Sequence, residues 1–441
     1  MADDTASPGR PIVPPQAQFR FHEMRDQLVA EAHARPPTPL PHPTLAARLA
    51  NLSGEGGGSE DWAHMVALCR KLQAPEPSEG ARWSVLDAGK WRLRWERHTE
   101  ISTWTFYRPI PNGQAASPGE TALDLTPKDW LSALPGDVLV ASHVELTRST
   151  DERERLIDQD DVAVNVLGGA AQVSTDFRAG ADSFTRFHIV QKEPDAGVAG
   201  RLVQLLFEIE TYRLLALLGF PVATQTATTL SRLEAQAADA AMQVANEGDI
   251  GDDRALLDRL AALAGEAQAL AGRTNFRFAA AKAYYGLVEE RIGQLRETRI
   301  DARPTIDEFM ERRLAPAMRT CVAVSQRQQA VIQHIARTTQ LLSTRVEVAA
   351  EITNANLLAS MDRRAKLQLR LQETVESLSV AAISYYSVSL LSYGAKGLAE
   401  IWPAAKAEYV TALITPLVVL AVWLTLRRVR KSMLRDSHEA G

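Results

Sequence analysis

The stretch SYGAKG, Ser392 to Gly397, sets Tyr393, Gly394 and Lys396 at the end of an uncharged run of 19 residues, Ser377 to Ala395. A lysine between two glycines at the end of a long apolar segment is chemistry for handling charge, a fixed cation placed where the segment stops. Upstream, Ser377, Ser384 and Leu391 recur every seven residues, and Glu373 precedes the first of them by one helical turn. On a helix that spacing aligns two hydroxyls, a leucine and a carboxylate, a stripe that either lines a polar path or packs helices through small residues. In EAHARPP, Glu31, His33 and Arg35 alternate at the end of a helical segment, where they either meet in a pocket or complement the helix dipole. The run DERERLIDQDD holds Asp151, Glu152, Glu154, Asp158, Asp160 and Asp161, oxygen ligands suited to a divalent cation but interleaved with Arg153 and Arg155.

Other chemistry is missing from the sequence. The nine histidines form neither HExxH nor an i, i+4 ligand pair, and G-x-S-x-G, Walker and dinucleotide fingerprints do not occur. GEGGGSEDW lacks the strand-before, helix-after context of a phosphate loop and reads as a surface loop. Cys69 and Cys321 match no zinc or redox spacing, so both are expected as buried free thiols. The expectation is a protein that is not an enzyme and has no cofactor, a divalent cation being the one ligand left open and its metal ligands unknown.

Elements must position these residues. With 441 residues, 46% of them hydrophobic, the chain can hold two or three domains with a sizeable core. Its net charge of -5 gives no reason to expect nucleic acid. Residues 1–18 read as a flexible leader. Residues 19–198 alternate apolar and polar in KWRLRWERHTEISTWTFYRP, DVLVASHVEL, VAVNVLGGAAQVSTDF and SFTRFHIVQ, the pattern of strands in an α/β head. Residues 199–376 take helical spacing, and Glu208, Glu210 and Arg213 inside RLVQLLFEIETYRLLALLGF mark a buried helix of a globular domain. A long stalk helix follows, its stripe Ile335, Leu342 and Ala349 expected at a subunit contact. Residues 377–395 and 409–426 are each about long enough to cross a bilayer as a helix. They leave 396–408 as an outer loop and 427–441, with Arg427, Arg428, Arg430, Lys431 and Arg435, as a basic tail that places both termini in the cytoplasm.

Two resemblances attach to these residues. EAHARPP, YYGLVEERIGQLRE and EFMERRLAPAMRTC resemble a bacterial family of membrane-anchored proteins known only as a domain of unknown function, over Phe19 to Leu434. The order of α/β head, long helix, span ending in Tyr393 and Gly394, loop with Pro403, second span and basic tail resembles the CorA-type magnesium transporters. That resemblance implies a pentameric channel, with Ala395 and Lys396 standing where those transporters have Met-Asn and opposing cation entry. Together they imply a membrane-anchored homo-oligomer of the bacterial inner membrane, in contact with the lipid bilayer and conducting ions. The alternative is a non-conducting anchored scaffold or sensor whose head binds a partner.

Overall fold

The structure is a computed structural model describing residues 21–26, 28–29, 37–53, 58–111, 116–117, 119–148, 162–192, 195–246, 250–401 and 407–439. The strands are β1 (Thr44–Leu52), β2 (Trp83–Asp87), β3 (Arg92–Arg97), β4 (Ile101–Pro109), β5 (Asp137–Thr147), β6 (Val162–Val166), β7 (Ala171–Ala179), β8 (Thr185–Gln191) and β9 (Thr298–Arg299). The helices are α1 (Gly58–Lys71), α2 (Lys128–Ser132), α3 (Ala196–Leu217), α4 (Gly219–Ala245), α5 (Ile250–Leu295), α6 (Ile306–Arg313), α7 (Ala315–Ile401) and α8 (Ala407–Glu439). The chain forms two compact units, one of residues 1–242 and 259–337, the other of 243–258 and 338–441.

In the first unit the strands make one sheet in the order β2-β3-β4-β1-β5-β8-β7-β6-β9. Neighbours run antiparallel except at β5 and β8, which are parallel and join the two halves. Because side chains alternate across a strand, each half has two chemically distinct faces. On one face of the first half, Leu45, Ala47, Leu49, Leu93, Trp95, Trp104 and Phe106 pack under Met65, Leu68 and Cys69 of α1 and Trp130 of α2. The opposite face carries α3, whose Leu202, Val203, Leu206 and Phe207 are buried.

Polar ties fix these layers. Asp61, in the first turn of α1, is fully buried and accepts hydrogen bonds from Asn51 Nδ2 (3.0 Å), Ser102 Oγ (2.6 Å) and Ser53 Oγ. Asn51 in turn accepts from Trp104 Nε1 at 2.8 Å, so one network locks helix, strand and indole together. The stretch expected as a surface loop therefore enters a helix at Gly58. On the α3 side, Glu210 is fully buried but accepts from Arg213 Nε and Nη2 (2.9 and 2.7 Å) and from the Thr185 hydroxyl (3.0 Å), while Glu208 pairs with Arg291. These partners explain how three charges sit inside so apolar a helix.

The expected pair of membrane spans is not what the structure holds. Among the described residues no helix is long and apolar enough to cross a membrane. The first run lies within α7, where six serines and three tyrosines dilute its 19 residues. The second lies within α8, with Pro416 inside it. Nor does the chain turn at Tyr393 and Gly394: α7 continues to Ile401, with Lys396 Nζ 5.8 Å from the Tyr393 ring centroid. A glycine costs a helix only about 1 kcal/mol, too little to end so long an element. With the spans go the CorA-like architecture, the membrane channel, the membrane-anchored scaffold or sensor and the inner-membrane location. Residues 402–406, including Pro403, lie outside the described residues.

In the second unit, Arg345 of α7 donates from Nη1 to the carbonyls of Val244 and Asn246, both at 2.9 Å, and from Nε to Asp253 at 3.0 Å. It thereby caps the C-terminal end of α4 and neutralises a carboxylate that is 3% exposed.

Candidate functional site

The groove of the first unit begins where α1 and α2 stop covering the sheet. On β5 the sequence VASHVEL alternates, burying Val140, Ser142, Val144 and Leu146 and turning His143 and Glu145 to the other face. On β8 the same alternation buries Thr185, Phe187 and Ile189 and turns out Arg186 and His188. Parallel pairing sets His143 beside Arg186 and Glu145 beside His188. One face that is tryptophan and leucine over β3 and β4 thus becomes imidazole, carboxylate and guanidinium over β5 and β8.

Two walls rise from this floor and enclose about 540 Å³, within the range of small-molecule sites. One is the segment after β4, anchored by Arg108, which donates to the Thr121 carbonyl at 3.1 Å and pairs with Glu120 and Asp124. The other is the β7–β8 turn, where Asp182 holds Arg186 through Nη1 and Nη2 and Phe184 stacks on His143 with centroids 4.1 Å apart. Gly180 makes room for this arrangement, since a Cβ there would lie 2.4 Å from Arg186 Nη1.

The electrostatics follow from this enclosure. Burial, and next the Arg186 charge, push the His143 imidazole down to about 4, so it is neutral near pH 7. Glu145 Oε2 lies 3.3 Å from His188 Nδ1, which leaves the far nitrogen of that ring free to face the groove. Ser174 of β7 is paired with His188 across the strands, so Ser174, His188 and Glu145 form one row over three strands. The floor offers a fixed cation in Arg186, a carboxylate in Glu145, and two rings that accept or donate hydrogen bonds. Among the described residues no group of histidine, cysteine and acidic side chains is arranged to hold a metal ion.

The residues singled out in the sequence lie elsewhere. Glu373, Ser377, Leu391 and Tyr393 are on α7 and not buried, Tyr393 being 73% exposed. Ser384 is buried with no hydrogen-bond partner for its hydroxyl. Gly394 and Lys396 are helical. Glu31, His33 and Arg35, and the acidic run Asp151 to Asp161, lie outside the described residues. Ile335 and Leu342 are buried within the chain itself, at 1% and 0% exposure. Sequence reasoning missed His143, Glu145, Arg186 and His188, although the polar positions of two alternating strands carried the signal.

No curated protein matches this chain significantly. The family model for DUF3422, described as a protein of unknown function, matches residues 20–433, and the chain belongs to that family.

Proposed function

We propose that the first unit is a binding module for a small zwitterionic ligand, one whose anionic end meets Arg186 and whose cationic or donor end meets Glu145. The observation that carries this reading is the quartet His143, Glu145, Arg186 and His188, in register on β5 and β8 and lining the groove. A merely solvated face would not stack one of its histidines against Phe184 and hold it neutral. In the free protein Arg186 pairs with Asp182, and Glu145 Oε2 lies 3.3 Å from His188 Nδ1. A ligand bearing both signs meets Arg186 with its anionic end and Glu145 with its cationic end, so each charge of the ligand finds an opposite one. The reading is of binding without turnover.

Calorimetric titration of the full chain with amino acids, betaines and short peptides tests it. At least one should bind with one-to-one stoichiometry, and Arg186→Gln should weaken it by about 10- to 100-fold, the worth of a charged hydrogen bond. Binding that neither Arg186→Gln nor Glu145→Gln alters, or no binding at millimolar concentration, would remove the proposal.

A further inference from the structure

On the face of the sheet opposite the groove, the first unit buries a row of polar side chains beneath α3. Arg94 of β3, Thr105 of β4, Arg48 of β1, Ser142 of β5 and Thr185 of β8 are successive cross-strand partners. None of the five is more than 5% exposed, so each needs a partner inside the fold. Most have one. Arg94 pairs with Glu96 at 2.9 Å, and Thr185 donates to Glu210, which also holds Arg213. Glu208, on the same helix as Glu210, pairs with Arg291.

Arg48 and its neighbour Ser142 are the exceptions. Arg48 is 4% exposed and donates from Nε to the Thr105 hydroxyl at 2.9 Å, with its Cζ 5.0 Å from the Phe207 ring centroid. A hydroxyl and a ring carry no charge, and among the described residues Arg48 makes no salt bridge. Each carboxylate under α3 already has an arginine of its own, so Arg48 is one cation in surplus. The two phenols that feel its charge, Tyr107 and Tyr212, do not supply the anion, because burial chiefly raises both above their ordinary range and keeps them neutral. An arginine cannot shed its proton to escape the cost of burial, so the charge calls for a counter-ion. One strand away in the same row, the fully buried Ser142 hydroxyl has no hydrogen-bond partner among the described residues. We propose that a small monovalent anion of the halide class binds between the sheet and α3, held by the terminal nitrogens of Arg48 and the Ser142 hydroxyl. One surplus charge sets its valence, and burial this complete excludes an organic anion.

Urea unfolding of the full chain in mixtures of sodium chloride and sodium gluconate at constant ionic strength tests this, followed by the fluorescence of Trp95, Trp104 and Trp130. The folding equilibrium constant of the parent should rise with chloride and approach a tenfold gain for each tenfold rise in concentration. Arg48→Met removes the charge and keeps an unbranched side chain, so it should fold without the anion and change less than about twofold over the same range. Ser142→Ala should fold, keep the dependence and need about tenfold more chloride to reach it. A parent indifferent to chloride would overturn the proposal and, with Arg48→Met less stable throughout, would show that a carboxylate of the chain itself balances Arg48. An equal chloride dependence in parent and Arg48→Met would overturn it as well, since the effect would then lie at the surface. Unchanged chloride affinity in Ser142→Ala would overturn the placement beside that hydroxyl.

Discussion

His143 gives the sharpest handle on the groove. In an unfolded chain its imidazole titrates near 6.5, whereas beneath Phe184 and beside Arg186 it stays neutral down to about 4. Below pH 6.5 the unfolded state therefore binds a proton that the folded state refuses. The stability held by the neutral ring is complete above pH 6.5 and is lost as pH falls toward 4. A gap of about 2.5 units corresponds to at most roughly 3 kcal/mol, of which some 2 are gone by pH 5. Allowing for the partial exposure of the ring, the loss at pH 5 is about 1–2 kcal/mol. Urea denaturation, followed by the fluorescence of the buried Trp95, Trp104 and Trp130, measures it at pH 7 and pH 5 in the parent and in His143→Gln. His42 and His64, also held down chiefly by burial, contribute equally to both proteins and cancel in the difference. The parent should lose about 1–2 kcal/mol more than the variant between the two pH values. Equal losses would show that the ring is solvated and that the groove is not enclosed at this point.

Three further outcomes follow from particular contacts. Asp61→Ala should lower the stability of the first unit by about 2–4 kcal/mol, because Asn51, Ser53 and Ser102 lose a common buried acceptor; unfolding by urea reads this, and a loss below about 0.5 kcal/mol would refute it. Arg345→Ala leaves Asp253 buried without its cation and the α4 carbonyls uncapped, so amides of the last turn of α4 should exchange with deuterium at least tenfold faster while β5 amides do not change. Ser174 should remain unlabelled by a serine-directed fluorophosphonate even though it lies in register with His188 and Glu145; stoichiometric labelling would replace binding by covalent catalysis.

The strands of the head were legible because the alternation in DVLVASHVEL and SFTRFHIVQ is that of half-buried strands, and β5 and β8 fall within those segments. The site was not legible. His143 and Arg186 become neighbours only through a parallel pairing between distant segments, and nothing local in either strand specifies its partner. Asp61 was hidden in a glycine-rich stretch whose composition outweighed the donors that await it on β1 and β4. The C-terminal half misled for a different reason. Uncharged length was read as a membrane signal although hydroxyls and aromatic rings occupied much of it, and Gly394 was read as a turn although helix on both sides carries it through.

The groove itself is tested most directly by nuclear magnetic resonance of the chain labelled with ¹³C at histidine Cε1, titrated with small zwitterions to millimolar concentration. If the quartet on β5 and β8 is a binding site, at least one compound should shift the His143 and His188 signals together, leave His334 on α7 in place, and lose its effect in Arg186→Gln. Signals from His143 and His188 that no compound moves, or that move identically in Arg186→Gln, would contradict it.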